Sequence, residues 1–159
     1  MKKLIPFMLA VFLCACGFHL RGMIDVPTWL EQVSVIAKEE QKELADLLKA
    51  QLDSYKIKVI DDPSQAKYWI IINYSTVKQQ IISIGASTNP RQYQLLMTTN
   101  FSLKARDGQI IKAARNVVVS RQFTSNNDRI LGSNEEEAIL INEMRQDTVV
   151  QIINRLSKQ

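Results

Sequence analysis

Residues able to carry chemistry are sparse in this chain. Its 159 residues hold one histidine, His19, and two cysteines, Cys14 and Cys16. Acid–base, metal or nucleophilic catalysis needs several titratable or ligating groups converging, and this inventory cannot assemble them. The carboxylate pair Asp61-Asp62 fits a turn, and the run Glu135 to Glu137 fits a helix start, where the dipole favours negative charge. No glycine-rich phosphate loop occurs. Trp29, Trp69, Tyr68 and Phe123 read as core or rim residues rather than platforms for stacking bases. The reading is of a protein that is not an enzyme, with no catalytic residue, no metal and no cofactor.

One sulfur does have a chemical context. Lys2 and Lys3 precede an apolar run from Leu4 to Leu13, which at ten residues is too short to span a bilayer as a helix. The segment Leu13-Cys14-Ala15-Cys16 resembles the lipobox of bacterial lipoproteins. That resemblance implies cleavage before Cys16, thioether lipidation of its sulfur and acylation, by palmitate or a similar chain, of the new amino terminus. Two or more acyl chains anchor stably where one does so marginally, since each buried methylene contributes about 0.8 kcal/mol. Residues 1–15 are then a signal peptide, and Cys14 leaves with it. No thiol remains for a disulfide, so the mature domain must be held by its core alone. By resemblance to lipoprotein sorting in diderm bacteria, an aspartate after the cysteine would favour retention in the inner membrane. Gly17 stands there, so the expected location is the outer membrane, with no nucleic acid as a partner.

Charge is uneven along the chain. The total is 20 Lys and Arg against 16 Asp and Glu. Between Tyr68 and Ser133 eight cations face only Asp107 and Asp128, a net +6. Such a stretch suits an anionic partner, or it guards exposed strands against edge pairing. Sequence leaves both open.

The elements that would position these residues form one α+β domain. Residues 16–30 make a lipidated tether, and 31–159 the folded unit. Gln32 to Ala37 is short, β-branched and alternating, a first strand. Glu39 to Tyr55 places Leu44, Leu47, Leu48, Leu52 and Tyr55 at helical spacing. After the break at Asp61-Asp62-Pro63-Ser64, Lys67 to Ile84 reads as one long strand. Tyr93, Leu95, Met97, Thr99, Phe101 and Leu103 then alternate with mostly polar residues, as a half-buried strand requires. Arg106-Asp107-Gly108 supplies a three-residue hairpin loop pairing Ala105 with Gln109, which sets Leu103 opposite Ile111 and Met97 opposite Val117. Ser133 with Glu136 has capping-box spacing and opens a last helix with Ile141, Met144, Val149, Ile152 and Leu156 inward. The expected order is β-α-β-β-β-α, a two-layer sandwich with two helices on one face of a four-stranded sheet. The other face is polar and weakly charged.

Cys16-Gly17-Phe18-His19-Leu20-Arg21-Gly22 resembles the mature start of the LptE family, also called RlpB, of lipopolysaccharide-assembly lipoproteins. Further likeness lies in Tyr93-Gln94-Leu95-Leu96-Met97 with Phe101-Ser102-Leu103. It continues in Arg121-Gln122-Phe123 with Asn126, Asn127 and Ile130-Leu131, and in Glu143-Met144-Arg145-Gln146-Asp147 with Arg155-Leu156.

The resemblance implies helices on a four-stranded sheet, a seat inside the lumen of the large outer-membrane β-barrel LptD, and assistance to its assembly. It also implies contact with lipopolysaccharide and no covalent chemistry. A barrel that wide leaves an aqueous hole unless filled. Lipid A phosphates then become candidate partners for the basic stretch, with Arg91, Lys104, Arg106 and Lys112 as contact residues. Lys104 and Lys112 are expected on the open face, Arg115 and Arg121 on the helix side pairing with helix acids. In the family, basic contacts are proposed in the loop before the Tyr93 strand and just before the last helix. Here those places hold uncharged Ser83 to Thr88 and Ser133, with Arg91 and Arg129 nearby. The competing reading is a free-standing periplasmic lipoprotein that binds or scaffolds envelope components.

Overall fold

Alternation of period two, sustained over three strands, sets the architecture. The computed structural model describes Pro27 and residues 29–83, 91–125 and 130–157, and the side chains of Ser83, Arg91, Ser125 and residues 130–134 are not among those described. The signal segment, Cys16, His19, most of the tether and Arg129 therefore lie outside the described residues, as does the Ser133 side chain.

In chain order the elements are β1 (Gln32–Ile36), α1 (Lys42–Ser54), β2 (Lys58–Val59), β3 (Tyr68–Ser83), β4 (Arg91–Ala105), β5 (Ile110–Ser125) and α2 (Ile130–Ser157). The sheet runs β2-β1-β3-β4-β5. β1 is parallel to both β2 and β3, whereas β3, β4 and β5 form an antiparallel meander. The expected four strands are corrected to five. β2 is only two residues long, too short to show any periodicity, and it exists because Lys58 and Val59 fall beside Gln32 and Val33.

Both helices lie on one sheet face, as their one-sided apolar stripes demand. Leu44, Leu48 and Leu52 of α1 and Met144, Val149, Ile152, Ile153 and Leu156 of α2 share one buried cluster with Ile70, Ile72, Leu95, Met97, Phe101, Val117 and Val119 of the sheet. α1 stops at a left-handed residue, Lys56, with φ of 63°. The amide of Ile57 donates to Leu52 O at 3.1 Å and that of Lys56 to Asp53 O at 2.8 Å, the Schellman pattern. Ile57 and Leu52, both buried, meet across this cap. α2 begins at Ile130, so Ser133 lies within its first turn and is not its N-cap. The capping-box spacing pointed to the right helix but the wrong first residue.

The hairpin behaves as expected only at its tip. Ala105 N donates to Gln109 O at 2.8 Å, and Gly108 takes φ of 91°. Two irregularities then intervene between Phe101 and Lys104, so Lys104 faces Ile110, Leu103 faces Lys112, Phe101 faces Arg115 and Met97 faces Val119. Beyond them the pairing has slipped by two residues from the loop-defined register. A slip of two restores the parity, and the apolar sides still coincide.

Phe101, at 2% exposure, sits where both layers meet. Phe101→Ala should lower unfolding free energy by about 3–5 kcal/mol. Ile139→Ala, at a position 61% exposed, should stay within about 0.5 kcal/mol. Urea denaturation of the two variants checks the difference.

Candidate functional site

With both helices on one side, the opposite face of β3, β4 and β5 carries no covering element among the described residues. Its middle is ordered by amides and hydroxyls, with Val118 and Ile110 among its exposed apolar side chains. The Asn73 amide donates to Asn100 Oδ1 at 2.7 Å, and the Asn100 amide to Asn116 Oδ1 at 2.6 Å. Tyr74 Oη reaches the same Asn116 oxygen at 3.2 Å, and Gln94 Nε2 donates to Ser120 Oγ at 2.8 Å. Side chains from three strands are thus fixed to one another before any partner arrives. The two β5 irregularities make this possible. The loop register alone would place Ala114 opposite Asn100; the slip by two delivers Asn116. Sequence could name Asn100 as outward-facing but could not align the row.

The basic residues separate into distinct roles. Arg121 pairs with Asp147 of α2, which agrees with the expected helix-side placement. Arg145 Nη2 lies 2.7 Å from Glu43 Oε2 and ties α2 to α1. Arg115 shares the parity of Val117 and is exposed. Lys112 is not on the open face. The irregularity beside it turns it to the helix side opposite Leu103, and its ammonium donates to the carbonyl of Arg155 at 3.1 Å. There a cation complements the carbonyl end of α2. Burial, and then the neighbouring Arg115 guanidinium, hold the Lys112 ammonium below its ordinary pKa.

Lys104 does lie on the open face, between Trp69 and Ile110 in register. The Trp69 indole is itself fixed, donating to Pro63 O at 2.7 Å. Arg106 stands at the hairpin tip, where its amide donates to Lys67 O at 3.0 Å. Lys67, Tyr68, Ala105, Arg106 and Asp107 line a shallow cleft of about 490 Å³ at that end. Arg91 opens β4 at the opposite end. At about 3.3 Å per residue, Arg91 and Lys104 are roughly 40 Å apart along the strand. The four residues singled out from sequence are therefore not brought to one point: Lys104 on the open face, Arg106 at the tip and Lys112 on the helix side share the hairpin end, and Arg91 stands at the far end.

Other chemistry is thin. Among the described residues no group of three His, Cys, Asp or Glu could hold a metal ion, and no helix is long and apolar enough to cross a membrane.

A family model described as LptE, lipopolysaccharide-assembly, matches residues 30–156, the whole of this two-layer unit. The chain belongs to the LptE family. Curated relatives in that family include the LPS-assembly lipoprotein LptE of Photorhabdus laumondii, 26% identical over 149 residues, covering 93% of this chain and 81% of the relative. The protein of the same name from Pectobacterium atrosepticum is 27% identical over 150 residues, covering 93% and 80%. Among solved structures, lipoprotein B of Nitrosomonas europaea superposes with a TM-score of 0.72 at 22% identity, covering 89% of this chain and 90% of that one. This last likeness concerns the fold, and it places the LptE-family chain in the α+β sandwich read from its sequence.

The Lys112 environment has a pH consequence. Its folded pKa lies below the ordinary 10.5, so on raising the pH the folded chain sheds this proton before the unfolded chain does. The unfolded state then binds more protons, and stability rises with pH through that window. As the pH is raised toward 10.5, wild-type stability should rise relative to that of Lys112→Met, with urea midpoints across the alkaline range as the readout.

Proposed function

We propose that this chain is a lipid-anchored component of the lipopolysaccharide translocon at the outer membrane, held through Cys16 and seated in the lumen of an LptD-type barrel. There it fills the pore, assists assembly of the barrel and contacts lipopolysaccharide on its way to the outer leaflet. Membership of a lipopolysaccharide-assembly family supports the pathway. The observation that carries the seat in the barrel is the bare sheet face, whose amides and hydroxyls are already ordered by one another.

A barrel lumen is lined by polar side chains, and the uncharged, pre-ordered middle of this face, around Asn73, Asn100 and Asn116, can meet it without desolvating a charge. Dimensions agree. β3 has 16 residues and α2 has 28. At about 3.3 Å and 1.5 Å per residue they run roughly 50 Å and 40 Å, enough to cross a hydrocarbon core of about 30 Å. Lipid A phosphates are the proposed partners of Arg91 and Lys104, which mark the two ends of β4. Arg106 and Lys112 belong to the hairpin end, where Lys112 already serves the end of α2.

Affinity-tagged full-length chain, extracted in mild detergent from its own envelope, should bring down an LptD-sized β-barrel in comparable amount. Recovery of the lipidated chain with no barrel protein sinks the plug reading and favours a free-standing envelope lipoprotein. Arg91→Ala combined with Lys104→Ala should weaken lipopolysaccharide capture roughly tenfold with an unchanged melting temperature. Unaltered capture removes both residues from the contact.

A further inference from the structure

The folded unit has two unlike ends, and the chain enters at one of them. Pro27 O accepts from Leu30 N at 3.0 Å, and Leu30 is buried. Trp29 stands edge-on to Tyr68 with ring centroids 5.3 Å apart, at the first residue of β3. The hairpin tip is at this same end, because Arg106 N donates to Lys67 O. The Lys67 ammonium lies 5.6 Å from the Tyr68 ring centroid. β2 also starts here beside Gln32, with Lys58 exposed and Lys56 in the preceding turn. Cations, two aromatic rings and a cleft are gathered where the polypeptide leaves toward its amino terminus.

The nearby acids mostly have local hydrogen-bond or ion-pair partners. Hydrogen bonds from Ser64 hold the Asp62 carboxyl below the ordinary range, with the Arg106 guanidinium the last of the influences on it. Asp107 Oδ1 accepts from Gln109 N at 3.0 Å, and Asp62 accepts from Ser64 N at 2.9 Å and Gln65 Nε2 at 3.2 Å. Asp61 pairs with Lys49 at 3.0 Å. Glu31 is the remaining acid at the strand starts.

Ten residues, eleven Cα-to-Cα steps, separate Cys16 from Pro27. Covalent geometry lets a chain of that length reach at most about 40 Å. If Cys16 carries the anchor, this end of the domain is held at the bilayer surface while the Arg91 end points away. Aromatic rings and snorkelling Lys or Arg side chains are the groups that settle at a lipid–water interface.

We propose that, before it is seated in a barrel, the hairpin end docks on the phospholipid headgroups of the membrane that holds the anchor, with Lys67 and Arg106 taking a headgroup phosphate at the cleft they share with Tyr68. The inference rests on the Cys16 anchor and assigns Arg106 to the resident bilayer rather than to passing lipopolysaccharide. Anchoring is supplied by the acyl chains; docking fixes which way up the domain stands.

The test uses the full lipidated chain in vesicles of phosphatidylethanolamine and phosphatidylglycerol. A single fluorophore is placed through Gln109→Cys at the hairpin or through Ile139→Cys on α2, both exposed positions. Cys16, as a thioether, does not react with the label. Quenching by headgroup-labelled lipid should be several-fold stronger at 109 than at 139. Lys67→Glu with Arg106→Glu should bring the 109 value down to the 139 value. Equal quenching at the two positions in a chain that floats with the vesicles overturns the docking and leaves the anchor standing. A chain that does not float overturns the anchor, and the docking with it.

Discussion

The structure depends on a shortage of apolar surface: the sheet has one apolar face, and both helices need it. α1 is apolar along Leu44, Leu48 and Leu52, α2 along Met144, Val149, Ile152, Ile153 and Leu156, and each must bury its stripe. Once both have docked, the reverse side of three long strands faces outward. Those outward positions must then satisfy their own polar groups. Asn73, Asn100 and Asn116 do so by hydrogen-bonding across strands, so the open face is ordered by its own side chains.

The basic middle of the chain appears in sequence as a single feature, and in three dimensions it divides. Arg121 binds Asp147, and Lys112 meets the end of α2, so both hold the second helix against β5. Lys104 and Arg106 sit at the hairpin, while Arg91 lies the length of β4 away. The net +6 of this stretch is therefore part scaffold and part surface, and neither the anionic-partner reading nor the edge-guarding reading accounts for all of it.

Much of the fold was legible because its signals are local. The alternation in β4, the Arg106-Asp107-Gly108 loop and the leucine spacing of α1 each define an element within a dozen residues. Arg121 could be assigned to the helix side because parity survives a slip of two. Lys112 could not, because it lies between the two irregularities, where parity is briefly reversed. Nothing in Ile110 to Ala114 marks them, since there is no glycine and no proline. β2 escaped for a related reason, since a strand of two residues is created by its neighbour rather than by its own pattern. The amide row escaped because it requires the true register of three strands at once.

β1 is short, and that has a consequence for β3. It pairs with β3 only from Tyr68 to Ile71, and no strand among the described residues continues beyond it. From Asn73 onward β3 offers a line of unmet peptide groups beside Tyr74, Val77, Ile81 and Ile82, all substantially exposed, with Lys78 the only charge in between. Such a margin recruits any extended chain it meets. A strand laid along that margin would continue the sheet from β3 on the side that β1 leaves open.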